Sequence, residues 1–102
     1  DVDGNGTPDI ITAPAAGAAP VRIFSSVGQL KKQIVPYDKR FRGGIALAVG
    51  DLNADHVDDI VVAPLSGGGP HVRIFSGTGT LIGQFFPLPS TVRRGLRIAI
   101  FP

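Results

Sequence analysis

The 102-residue chain contains no cysteine, no tryptophan and no glutamate. Without cysteine there are no disulfides, no thiolate metal ligands and no thiol nucleophile, and the sequence gives no redox clue to compartment. Aromatic residues make up only 7% of the chain, so an interior has to be built from aliphatic side chains. No apolar run approaches the roughly 18 residues that a membrane helix needs, and no charged-then-apolar leader opens the chain, so membrane insertion is not expected. Long helices are excluded by what is abundant. Fourteen glycines and nine prolines interrupt short apolar runs throughout, and both residue types break a helix, proline through its missing N–H and glycine through backbone entropy. With 43% hydrophobic and 18% charged residues the chain is too apolar to be disordered, and its length suits one small domain.

The net charge of +2 conceals a segregation. Seven of the eight acids, Asp1, Asp3, Asp9, Asp51, Asp55, Asp58 and Asp59, lie in two short stretches, and Asp38 is the only one outside them. Lys31, Lys32, Lys39, Arg40, Arg42, Arg93, Arg94 and Arg97 lie between and after these stretches. A basic face could attract nucleic acid. No recognition helix or cluster of stacking aromatics accompanies it, so a solvated surface is the better reading and no nucleic-acid partner is expected.

Sliding the chain on itself by about 50 residues aligns nearly all of it. "DIITAP" (9–14) meets "DIVVAP" (59–64), "VRIFSSVG" (21–28) meets "VRIFSGTG" (72–79), and "GGIALAVGD" (43–51) meets "RGLRIAIFP" (94–102), with His71 as the one inserted residue. The β-branched and aliphatic runs predict strands at about 44–50, 59–64, 71–76 and 81–87 in one unit, and at about 9–14, 21–25, 30–36 and 95–101 elsewhere. Loops such as "AAGAAP" (15–20) and "LSGGGP" (65–70) supply turn glycines and a proline before the next strand. The expected fold is all-β, made of β-propeller blades: two four-stranded antiparallel repeats of about 50 residues, repeat 1 at about 1–50 and repeat 2 at about 51–102. Taking "GGIALAVG" as a first strand, the chain runs through strands 2-3-4, then 1-2-3-4, then 1. Two blades cannot close a ring, so the chain is expected to be part of a larger propeller or to assemble with itself by strand exchange, 95–101 of one copy completing the first blade of another.

The acidic stretches "DVDGNGTPDI" and "DLNADHVDDI" have oxygen-bearing side chains at alternate positions. Calcium takes six to eight oxygens at about 2.3–2.6 Å, and alternating carboxylates on a tight loop can converge on such an ion. The expected ligands are Asp1, Asp3, Asn5, the Thr7 carbonyl and Asp9 in the first loop, and Asp51, Asn53, Asp55, the Val57 carbonyl and Asp59 in the second. Gly6 suits the sharp turn, and His56 stands at its place in the second loop, where positive φ would cost on the order of 1 kcal/mol. Asp58 is expected to face solvent. An EF-hand shares the opening pattern but needs Glu at position twelve and a following helix; Thr12 and Val62 stand there, before strands. For a single loop, a polar turn is the commoner explanation. Two loops in register that hold nearly all of the acids favour metal, about two Ca²⁺ per chain.

These loops, each leading into "xxAP", a Gly-rich bend and "VRIFS", resemble the FG-GAP (VCBS-type) repeats of integrin α-subunit heads and many bacterial secreted proteins. The resemblance covers essentially the whole chain. It implies a propeller with calcium in the strand 1 to strand 2 loops, an extracellular or cell-surface location, and a role in adhesion or recognition of a protein or glycan ligand. The chain departs from the family pattern at His56, in having two repeats, and at Pro102, where the next loop's first Asp would stand. No catalytic residue is identified. His56 and His71 have no partner that would mark a general base, and "SGGGP" (66–70) lacks the helix and Lys of a phosphate cradle. The alternative reading is a non-catalytic scaffold segment of a secreted enzyme such as a polysaccharide lyase.

Overall fold

The computed structural model describes residues 1–17, 20–38, 40–89, 91 and 95–100. The remainder, including part of the 15–20 loop, Lys39, Arg93, Arg94, and the expected strand end at 101 with Pro102, lies outside the described residues. The described residues contain no helix and form seven strands. These are β1 (Asp9–Thr12), β2 (Val21–Ser25), β3 (Leu30–Ile34), β4 (Ile45–Gly50), β5 (Asp59–Pro64), β6 (Val72–Phe75) and β7 (Leu81–Phe85). They make two antiparallel meanders, a three-stranded sheet β1-β2-β3 and a four-stranded sheet β4-β5-β6-β7.

The two hairpins β2–β3 and β6–β7 are copies of one another. In each, the strand-end serine N–H (Ser25, Ser76) donates to a residue four positions on (Gln29, 2.8 Å; Thr80, 2.9 Å), and a glycine (Gly28, Gly79) donates back to the serine at 2.9 Å. Gly28 and Gly79 sit at φ 87° and 89°, the left-handed position that closes a three-residue hairpin loop. Strand β3 stops at Ile34, short of the expected 36. Val35 turns out to solvent, and Pro36 has no N–H to continue a ladder.

Residues opposite one another in a ladder share a face, so the register sorts each sheet into two sides. On the first sheet, Ile10, Phe24 and Leu30 share one side and Ile11, Ile23, Val21 and Ile34 the other. On the second sheet, the matching sides carry Ile60, Phe75 and Leu81, and Val61, Ile74, Val72 and Phe85. The core lies between the second side of sheet one and the first side of sheet two, where Val21, Ile23 and Ile34 meet Ile45, Ile60, Val62 and Phe75, with Val2 from the first loop. Tyr37, in the connection to β4, locks this junction. Its hydroxyl donates toward the Val62 carbonyl (3.2 Å) and the His71 carbonyl, and burial raises its pKa against the lowering effect of Arg73. The Arg73 guanidinium lies 5.3 Å over the Tyr37 ring and donates to the Pro36 carbonyl at 2.6 Å.

The expected strand 95–101 is not a strand over its described residues, 95–100. The reason is the absence of a partner among the described residues: β1 remains an edge of the first sheet, and 95–100 packs on the outer side of the second sheet. The first sheet shows strands two to four of a blade and the second all four, the 2-3-4 then 1-2-3-4 order expected from the sequence.

The link between sheets depends on Gly44. It has φ 78°, and a Cβ there would lie 2.2 Å from the Ala15 carbonyl oxygen. Gly28 also has positive φ, with open space around it. Urea denaturation should therefore separate the two: Gly28→Ala is expected to lose about 1 kcal/mol from strained φ alone, and Gly44→Ala on the order of 3 kcal/mol or more.

Candidate metal centre

Each acidic loop is tied shut by its own first and last aspartates. Asp1 accepts the N–H groups of Gly4 and Gly6, both at 2.8 Å, and Asp9 accepts the Val2 N–H at 3.0 Å. In the second loop Asp51 accepts the N–H groups of Asp55 (3.2 Å) and His56 (2.8 Å), and Asp59 accepts that of Leu52 at 3.2 Å. The central residue acts alike in both: the Asn5 side-chain oxygen takes the Thr7 N–H, and the Asp55 carboxylate takes the Val57 N–H, each at 2.9 Å.

This frame needs left-handed backbone at two positions. Gly4 and Gly6 provide it in the first loop at φ 77° and 84°; Ala54 and His56 adopt it in the second at 61° and 67°. His56 takes the positive φ that the alignment with Gly6 implies. Ala54 was not singled out by sequence reasoning, although its alignment with Gly4 carried the same signal.

Asp1, Asp3 and Asp9 present oxygens within 4.8 Å of one another, the one such group of three among the described residues. Two oxygens that both bind an ion at about 2.4 Å can lie at most about 4.8 Å apart, so the spacing fits calcium. A cation already sits there. Lys31 from β3 places its ammonium 2.7 Å from Asp9 and in direct contact with Asp3, and the Asp9 side chain is only 1% exposed. Lys31 holds the Asp3 and Asp9 carboxyls below the ordinary carboxylate range, helped by the Asn5 N–H at Asp3 and the Val2 N–H at Asp9, and its own pKa is raised in turn. Sequence reasoning placed Lys31 only on a basic face; its alternation with the core residue Ile34 did not reveal that it crosses to the loop.

Asn5 turns its side-chain oxygen to Thr7, accepting from the Thr7 hydroxyl as well at 2.7 Å, while its amide nitrogen donates to Asp3 at 3.5 Å. In the second loop Ile82 stands where Lys31 does. There the Asn53 amide, oriented with its NH2 toward the acids, donates to Asp55 at 2.9 Å and Asp51 at 3.1 Å. Burial opposes ionisation of Asp51, but N–H donors from His56, Asp55 and Ala54 outweigh it and lower its pKa. Asp58 does not simply face solvent. Its N–H donates to the Asp1 carbonyl at 2.9 Å and its carboxylate lies 3.3 Å from the Asp1 nitrogen, so the two loops touch. His71 stacks on Phe86 with ring centroids 4.5 Å apart and bonds Gln84 at 2.7 Å, a packing role.

A family model described as an FG-GAP-like repeat matches residues 1–62, a span that contains both acidic loops and β1 to β4. The chain belongs to the FG-GAP-like repeat family. No curated protein and no solved structure matches it. For an FG-GAP repeat, the matched span frames the blade in an informative way. The loop between β4 and β5 joins the first two strands of a complete blade, and the loop before β1 is its counterpart in a sheet that shows strands two to four.

Because Asp3 and Asp9 are lowered from 3.8 by folding, their contribution to stability is present above that value and is lost as pH falls through the depressed folded pKa. In calcium-free buffer the melting temperature should fall steeply below about pH 4. Lys31→Met should flatten that acid limb, because neither carboxylate then has a cation to lose. Separately, His56→Gly should raise thermal stability by about 1 kcal/mol through relief of the left-handed strain.

Proposed function

We propose that this chain is a calcium-stabilised FG-GAP propeller module that works outside the cell in recognition or adhesion, without catalysis of its own. The observation that supports calcium most is the convergence of Asp1, Asp3 and Asp9, two of which share one ammonium group, at a spacing an ion of calcium's size would allow. Asn5 with the Thr7 carbonyl would complete the first set after a side-chain rotation. Asp51, Asn53, Asp55, the Val57 carbonyl and Asp59 would form the second, once Asn53 turns its oxygen inward. The ion would supply the charge that holds like-charged carboxylates together.

An extracellular setting agrees with the chemistry. A shallow loop whose carboxylates already bond Lys31 has to exchange that partner for calcium, which favours modest affinity. Extracellular calcium modules work at dissociation constants of about 10⁻⁴–10⁻³ M. The ligand of such a module would be a protein or glycan held by the loops and blade surface, and the module's own neighbours would be further blades.

Calorimetry with and without chelator tests the reading. Calcium at 100 times Kd should add about 2.7 kcal/mol per independent site, with magnesium much less effective because it keeps its waters and prefers octahedral geometry. Asp9→Ala should abolish the first increment and leave the second, and Lys31→Met should tighten the first site. A melting curve indifferent to both calcium and chelator would rule the calcium reading out. A glycan and surface-protein binding screen, run in calcium and in chelator, addresses the recognition role.

A further inference from the structure

The junction between the two sheets is repeated, unfinished, at the far side of the second. Inside the chain, Gly44 (φ 78°) turns against the Ala15 carbonyl, the Ile45 N–H donates to the Pro14 carbonyl at 2.7 Å, and Ile45 and Leu47 of β4 pack on the first sheet. One repeat further on, Gly95 (φ 82°) turns against the Leu65 carbonyl, and the Leu96 N–H donates to the Pro64 carbonyl at 2.8 Å. Leu96, Ile98 and Ile100 then pack on Val61, Ala63 and Val72 of the second sheet. Residues 96–100 therefore lie against sheet two as β4 lies against sheet one. What β4 has and they lack, among the described residues, is a ladder to the next strand.

Beside this segment is an apolar cleft of about 490 Å³, lined by Val72, Ile74, Phe85 and Leu88 among others. Phe85 is 51% exposed there, whereas its counterpart Ile34 is 5% exposed inside the chain. The complementary surface is also uncovered. Ile10 is 50% exposed where its counterpart Ile60 is fully buried, Arg22 is exposed where Arg73 reaches Pro36, and among the described residues β1 is an unpaired edge. The two open sides of the chain are thus the same two kinds of side that it already joins internally.

We propose that the outer side of the second sheet docks the first sheet of a second copy of this chain, whose β1 pairs with residues 96–100. The register follows from β4 and β5, where Leu47 faces Val62 and Val49 faces Ile60. Ile98 then faces the Thr12 of the incoming copy, and Ile100 faces its Ile10. The Arg22 of that copy donates to the Pro87 carbonyl, as Arg73 does to Pro36. One turn has to adjust. Ser26 stands where Gly77 lets the Val2 carbonyl approach, so the incoming hairpin rides outward beside Leu52. The contact is head-to-tail, so it propagates and closes when the rotation per copy permits. Three or four two-bladed copies would fall within the roughly 4–8 blades of propellers.

The proposal rests on the blade reading of the chain and is independent of calcium. Sedimentation velocity of the whole chain, in calcium and in chelator, should give about three or four times 10.6 kDa. Ile10→Glu blocks one side and Phe85→Glu the other, so each alone should sediment as a monomer. An equimolar mixture should give a dimer, because each variant keeps the side that the other has lost. Arg22→Glu, away from the metal loop, should also be monomeric with an unchanged far-ultraviolet spectrum. A wild-type monomer at all concentrations, variants that keep the wild-type mass, or a mixture that does not pair would each overturn the proposal. A chelator-insensitive melting curve with the assembly intact would defeat only the calcium reading.

Discussion

The central constraint on this chain is that β5, inside the second sheet, is apolar on both sides. Ile60, Val61, Val62 and Ala63 in β5 alternate between two faces, and all four are buried. A sheet of this kind cannot rest one face in water as a half-buried meander does, so something has to lie on each side of it. Two sheets can cover each other only once. The first sheet covers one side of the second, and residues 96–100 begin to cover the other. The outer side of the first sheet, with Ile10 and Leu30 each half exposed, has nothing on it among the described residues. The blade arrangement answers that geometric problem by repetition, since every added blade covers one side and exposes its equivalent.

The loops are subject to a second constraint, electrostatic in kind. Asp9 and Asp59 are buried at the start of the first two paired strands they lead, and each takes a backbone N–H from the residue after its loop's first aspartate. That bond closes the loop. The remaining carboxylates then take the donors each loop has: an ammonium from β3 in one, a side-chain amide in the other. Burying a carboxylate without such partners would cost several kcal/mol.

Much of this was legible in the sequence because it is written twice. The strand limits of β2 and β5 match the pattern of β-branched residues, and the loop frame follows from the alignment of the two acidic stretches. His56 at positive φ followed from Gly6. What was not legible depends on contacts across the fold. Lys31 reaches the first loop through the β1-β2-β3 order, which brings the third strand's side chain past the first strand's Asp9. Asp58 meets Asp1 because the sheets stack and bring their loops together. The segment 95–100 has the composition of a strand and lies in the place of one, yet a strand also needs a partner, and composition does not supply it.

Tyr37 is the chain's single tyrosine, and there is no tryptophan. Its ring lies between the two sheets, edge-on to Phe41 at 5.7 Å and under the Arg73 guanidinium, with its hydroxyl held by backbone carbonyls of the neighbouring sheet. The protein therefore carries one natural chromophore of consequence, positioned at the seam between its halves. Its emission and near-ultraviolet dichroism report the parting of the two sheets directly, without label or substitution.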